Sequence, residues 1–458
     1  LEYRIERDSM GEIQVPSAAL YGASTARAAL NFPISGRTLP RSFTWALGCI
    51  KRAAAEANRE LGLLNTQVAD AISSAAKRVA DGEFDSHFVV DVYQTGSGTS
   101  TNMNANEVIA HLAHSSYGVI VHPNDDVNRG QSSNDVIPSA THVAVKAEIE
   151  RQVIPALLEL RAALAQKASA FQDILKSGRT HLQDAVPISL GQEFSGYAWQ
   201  VDKAIGRLSQ AAKDLGALAL GGTAVGTGVN THPDFSIKAI AKLSEYTGLS
   251  LRETENHIAA QASPDVLLDA SGAFRQVATV LIKIANDIRW MASGPMAGIG
   301  ELQLPAVQPG SSIMPGKVNP VIAESLLMVC VQIIGNDSTV VTASQYSNFE
   351  LHTMWPLLAD RLLDSANILS RGAVNFSRRL VTGIEVHRER CEQLLLHNAS
   401  VATVLAPRFG YDRVAALVHH ANQTGEQILH KVPQRDDLYE VMGQLIPKSW
   451  LIGPRALE

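Results

Sequence analysis

The stretch 310–320, GSSIMPGKVNP, gathers two hydroxyls (Ser311, Ser312), one ammonium (Lys317) and one amide (Asn319) into a loop that also holds Gly310 and Gly316. Glycine opens backbone geometry closed to other residues and lets N–H groups approach an anion, while Lys317 adds a point charge. An ordinary solvated connection has a similar composition. Four more polar islands interrupt the apolar pattern: TGSGTSTNMN (95–104), HPNDDVN with QSSND (122–128 and 131–135), GRTHLQDAVP (178–187) and GGTAVGTG (221–228). Hydroxyls and amides in such density orient carboxylate oxygens while a cation offsets their charge, which points to a small carboxylate-bearing substrate. Phosphate is the competing ligand. Against it, no Walker pattern is present, and the glycines of 221–228 follow a predicted helix instead of a strand, so a dinucleotide fingerprint is not expected.

Two further residues could move or tune protons. His181, between Thr180 and Leu182, carries the side-chain type that exchanges protons near neutrality, although a lone histidine is more often structural. Glu324 falls one turn into the helix after the opening loop, where a carboxylate could orient an imidazole; taken alone it reads as a helix-start carboxylate facing the dipole. His111 and His114 share a helix face without a matching carboxylate set, so no metal site is expected.

These groups need a frame. Asn319 and Pro320 fit an N-cap and first helical position, and the apolar run Val321 to Ile334 continues the helix. Helical periodicity predicts long segments at 141–171, 193–220, 265–292, 321–345 and 356–380. Ser263 and Pro264 supply a start signal for the third, where Val266, Phe274, Val277, Leu281, Ile284 and Ile288 share one face. Such helices would run about 40 Å each and predict a bundle. Pro155 should kink the first. The expected division is a smaller, loop-rich N-terminal domain at 1–137, a central helical bundle at 138–395, and a small C-terminal helical domain at 396–458. The segments VATVLIKIA (277–285) and LLMVCVQII (326–334) are apolar around most of their circumference, which predicts a homo-oligomer to cover them.

Composition narrows the class. Apolar residues make up 46% and aromatics 5%, favouring a mostly α fold, and the net charge of -6 argues for a soluble protein and against a nucleic-acid surface. Cys49, Cys330 and Cys391 show no CxxC spacing and suit reduced thiols in the cytoplasm. The opening LEYRIERDSMGE is charged, and no apolar run reads as long enough to span a membrane.

The ordered motifs GSSIMPGKVNP, TGSGTSTNMNANEV, HPNDDVN, QSSND, GRTHLQDAVP, LGQEF, GGTAVGTG and KIANDIRWMASGP resemble the fumarase and aspartase superfamily over nearly the whole chain. The resemblance implies a mostly helical, three-domain subunit with a long central helical bundle, and a homotetramer whose active sites each draw on three subunits. Ser97 in TGSGT and Ser133 in SSND match class II fumarases, whereas aspartases usually show GGAGT and Ser-Thr-Asn there. The implied reaction is reversible hydration of fumarate to (S)-malate, with ammonia release from aspartate as the alternative. A non-catalytic structural protein, such as the lens crystallins of this superfamily, is disfavoured because Ser311, His181, Lys317 and Asn319 are all retained.

By the same resemblance Ser311 is the base, and His181 paired with Glu324 serves the acid side through water. The substrate falls to Ser97, Gly98, Thr99, Ser132, Ser133, Asn134, Thr180, Ser312, Lys317, Val318 and Asn319. An accessory dicarboxylate site falls to His122, Pro123, Asn124 and Asp125. No metal or organic cofactor, nucleic acid or membrane is implied. A serine is a poor base in water, so the loop must stabilise the Ser311 alkoxide with backbone N–H groups and the Lys317 charge. The glycines of 221–228 are expected to pack between helices. Three departures stand out: Gly130 replaces a common serine, Val119 replaces a basic residue beside the accessory site, and His352 replaces the asparagine of FELN, which bears on substrate range.

Overall fold

The structure, a computed structural model, describes residues 2–425. Long helices dominate: Ser133–Glu148, Ile154–Ala170, Leu190–Asp214, Asp265–Met291, Val321–Ala343 and Trp355–Arg379. All five predicted segments are present. The first begins earlier than its periodicity indicates, because Ser132 and Asp135 form a capping box and Pro138 lies inside the helix without ending it. Directly before Pro155 the ladder widens into the π turn Ile149–Val153, which accommodates the donor that proline lacks.

The first 137 residues are more regular than their composition indicates. They hold the hairpin Tyr3–Asp8/Gly11–Pro16 and the helices Ala23–Asn31, Arg41–Glu60, Thr66–Asp81 and Thr99–Tyr117. Their buried faces are largely alanine (Ala53, Ala54, Ala57, Ala69, Ala75, Ala76), a strong helix former small enough for close packing. Asn65 caps the third of these helices by accepting from Val68 N at 2.8 Å, and Gly82 ends it in the left-handed conformation. Strands among the described residues form two-stranded sheets only.

The chain packs as two compact units, each assembled from separated segments. Among the described residues, one takes in 2–154 with Arg207–Gln276 and Val331–Leu369; the other takes Pro155–Gly206, Val277–Cys330 and 370–425. The sequential division at 137/138 and 395/396 remains a proposal, and its last segment lies outside the described residues from 426 onward. Cys49, Cys330 and Cys391 are all buried, and burial pushes their thiols up to about 11, 12 and 12. They behave as core residues.

The helix Val321–Ala343 corrects one expectation, since it is long and apolar enough to cross a membrane by length and composition. Its polar residues are tied into protein instead. Asn336 Nδ2 donates to Asp364 Oδ2 at 2.8 Å and Ser365 Oγ at 3.0 Å, and Asp337 accepts from Ser271 Oγ and Arg275, each at 2.7 Å. Met328 and Val331 are 68% and 64% exposed, and Ile334 and Val341 continue the same face at 37% and 38%. Together these side chains form an exposed apolar stripe along the helix.

Candidate active site

The chain from Ala306 to Val318 folds round a recess of about 420 Å³. Gly310 N donates to Lys317 O at 2.9 Å, and Asn319 Nδ2 donates to Gly310 O at 2.6 Å, so the loop closes on itself. Lys317 N donates to Met314 O at 3.3 Å across Pro315 and Gly316, whose φ of +78° supplies the third position of a type II turn. Gly310 is demanded by contact: a Cβ there would lie 2.4 Å from Lys317 O. Within the closed loop, Ser311 Oγ accepts from Ile313 N at 3.2 Å and Met314 N at 3.0 Å. Two preplaced N–H donors on one hydroxyl oxygen stabilise negative charge there, as an alkoxide base requires. Ser311 and Asn319 are half-buried, whereas Ser312, Lys317 and Val318 are exposed. Glu324, in the first turn of the following helix, is exposed as well.

His181 stands at the tip of the hairpin Leu175–Thr180/Gln183–Ser189, in which Thr180 pairs with Gln183. The connecting pair His181–Leu182 has φ of +56° and +59°. This turn normally selects Asn-Gly, so two side-chain-bearing residues in it are held by their surroundings. A buried ion cluster anchors the strand. Arg179 grips Glu301 with two bonds of 3.0 and 2.8 Å, while Lys176 reaches Glu301 at 3.3 Å and Glu193 at 3.1 Å. Thr180 and His181 are themselves exposed. Among the described residues of one chain, no hydrogen bond or ion pair joins His181 to Glu324.

The hydroxyl islands meet in the other unit. Ser97 Oγ bonds Thr99 Oγ1 at 2.8 Å, and Thr99 Oγ1 bonds Ser133 Oγ at 2.7 Å, linking TGSGT to SSND through a hydroxyl chain. Gly98, with φ of +75°, leads into the helix Thr99–Tyr117. Ser132 Oγ accepts from Asn134 N at 3.2 Å, and Asn134 Nδ2 donates to Ala224 O at 2.9 Å. Such a chain presents several donors to one carboxylate, each hydroxyl able to rotate its hydrogen toward the ligand.

His122 caps the turn Pro123–Val127, where its Nδ1 accepts from Asn124 N at 3.3 Å and Asp125 N at 3.1 Å. Val119 is buried and offers this exposed corner no charge. His352 is fully buried: its Nδ1 bonds Ser347 Oγ at 2.9 Å, its ring stands edge-on to Trp355 at 5.4 Å, and burial pushes its pKa down to about 4. Trp355 N donates to Gly96 O at 3.1 Å, so this segment backs the TGSGT turn as a neutral wall.

Arg179, Glu301, Asp135 and Lys51 went unweighed in the sequence. The S-x-x-D spacing of Ser132 and Asp135 is a capping signal that reading QSSND as ligands alone passes over. Lys51 sits in an alanine-rich helix, and Glu301 lies far from GRTH in sequence, so neither carries a local signal.

A family model described as lyase matches residues 11–335. The chain is similar to the class II fumarate hydratase of Corynebacterium efficiens, with 50% identity over 432 residues, 94% of this chain and 91% of the relative. It is likewise similar to that of Mycobacterium tuberculosis, 50% identical over 434 residues with the same coverage. Among solved structures, class II fumarase from Schistosoma mansoni matches with a TM-score of 0.93 at 38% identity, covering 96% of this chain and 98% of that one. The native fumarate lyase:delta crystallin from Brucella melitensis matches with a TM-score of 0.87 at 42% identity, covering 94% and 99%. The chain therefore belongs to the lyase family and, within it, to the class II fumarate hydratases.

Proposed function

We propose that this chain is a fumarate hydratase that interconverts fumarate and (S)-malate, works as a homotetramer, and serves the tricarboxylic acid cycle in the cytoplasm. The observation that carries the reading is the pair of N–H groups on Ser311 Oγ. In the malate direction, Ser311 removes a proton from the methylene carbon beside a carboxylate. The electron pair moves into that carboxylate, giving an aci-carboxylate dianion. His181, tuned by Glu324 and acting through water, then protonates the departing hydroxide, and the double bond of fumarate forms as water leaves. Lys317 and Asn319, with Ser97, Gly98, Thr99, Ser132, Ser133, Asn134, Thr180, Ser312 and Val318, hold the two carboxylates. Only interactions stronger with the aci-carboxylate, which carries one more negative charge than malate, accelerate the step, so the preplaced cation and donors count most where charge develops.

Assembly follows from exposure. His181, Glu324 and Lys317 all stand on the surface of a single chain. Acid–base chemistry of this kind needs a site shielded from water, and the apolar stripe on Val321–Ala343 supplies a surface for packing chain against chain. In the proposed tetramer one chain contributes the hydroxyl cluster, a second His181 and a third the Ser311 loop. The reduced, buried cysteines suit the cytoplasm. His122, Pro123, Asn124 and Asp125 form an accessory dicarboxylate site in this reading.

The test is ultraviolet absorbance of fumarate from purified protein given malate and, separately, aspartate. Malate should yield fumarate with negligible ammonia from aspartate. Dominant ammonia release would move the chain to the aspartase branch.

A further inference from the structure

Asp135 is fully buried and takes no part in the proposed chemistry, yet it joins segments 86 residues apart. Its Oδ1 accepts from Ser132 N at 2.9 Å, closing the capping box that starts the helix Ser133–Glu148. Its Oδ2 accepts from Gly221 N at 2.9 Å and Thr223 N at 3.0 Å. Gly221 and Thr223 have φ of +102° and +56°, so their N–H groups turn toward the same oxygen as in an anion nest. The neighbouring Asn134 makes a second link to this loop through Ala224 O. Burial raises the Asp135 pKa to about 6, which leaves the group ionised, and an acceptor only, at neutral pH.

A buried lysine braces the other side of the motif. Lys51 Nζ donates to Gln131 Oε1 at 2.9 Å and Asn128 Oδ1 at 3.0 Å, and Asn128 Oδ1 also accepts from Asn102 and Asn106 at 3.1 and 3.2 Å. Gln131 immediately precedes Ser132. Residues 131–135 are thus bracketed by two buried anchors, Lys51 bonded before the hydroxyls and Asp135 after them.

We infer that Asp135 is a positioning residue for substrate binding, which sets Ser132, Ser133 and Asn134 by clamping the first turn of their helix to the 221–224 loop. This rests on the reading in which those three residues hold a substrate carboxylate. The glycine-rich 221–228 segment then supports the site from one residue away, besides packing against helices.

The test compares Asp135→Asn with wild type in the full chain, measuring kcat and KM for malate beside melting temperature and oligomer size. An amide places an N–H where an N–H donor already points, so one of the two clamps must open. Displacement of a carboxylate ligand by about 1 Å should lower kcat/KM about a hundredfold, carried mainly by KM. Asn134→Ala should then add much less in the Asp135→Asn background than it costs alone, since the loop link is already loosened. A lowered melting temperature with wild-type KM, or full additivity of the two substitutions, overturns the positioning role. Hydrogen exchange on the wild-type protein covers the case of a variant that does not fold. Saturating succinate, a dicarboxylate that cannot be dehydrated, should slow exchange at 221–224 together with 131–135; slowing confined to 131–135 overturns the clamp. A wild-type chain inert toward malate removes the functional reading itself, whereas an active wild type with a normal Asp135→Asn removes only this inference.

Discussion

In the proposed mechanism the weakly acidic Ser311 serves as base, and its oxygen already accepts two backbone N–H groups before any charge develops on it. Ser311→Ala should lower kcat by about 10²–10⁴-fold, the range for a lost acid–base group, while dicarboxylate affinity changes little because the remaining hydroxyls and Lys317 still bind the ground state. Ser312→Ala removes one hydrogen bond, about 1 kcal/mol, and should cost only several-fold in kcat/KM. Steady-state kinetics on the two variants separates these outcomes; equal losses would return the loop to a binding role. The residue types at Ser311, Lys317 and Asn319 were legible in the sequence because glycine, proline and hydroxyls cluster there. That Asn319 also braces Gly310 O was not, since the bond depends on a loop closure that composition does not encode.

Elements decide whether those residues can be held still. The hairpin carrying His181 keeps a left-handed turn without glycine, and the cluster of Arg179, Lys176, Glu301 and Glu193 fixes the strand beneath it. Glu301→Gln would leave the buried Lys176 and the half-buried Arg179 without their shared carboxylate. Breaking a buried pair in this way costs about 3–5 kcal/mol. Denaturant unfolding should show that loss, and hydrogen exchange should quicken across residues 176–183. Unchanged stability would mean that the turn is held by other contacts. The long helices were legible because residues such as Val277, Leu281, Ile284 and Ile288 repeat at helical spacing, and all four are buried. Arg41–Glu60 and Thr66–Asp81 are amphipathic as well, but the Gly, Pro and Asn/Asp clusters around them dominate the composition of the first 137 residues and hide them there.

At the scale of the molecule, the proposed sharing of sites between copies rests on two features, the apolar face of Val321–Ala343 and the exposure of His181, Glu324 and Lys317. The expectation of an oligomer rests on the apolar run LLMVCVQII, of which Met328, Val331 and Ile334 are exposed in a single chain. Which residue comes from which copy is not encoded in any local pattern. The most direct test of shared sites mixes two inactive variants, Ser311→Ala and His181→Asn, after reversible dissociation, and follows fumarate formation from malate. Each variant supplies the residue the other lacks, so with random reassembly half the loops and half the histidines are intact and about a quarter of the sites regain both. The account predicts roughly that fraction of wild-type activity; mixed oligomers that form yet stay as inactive as either parent would contradict it.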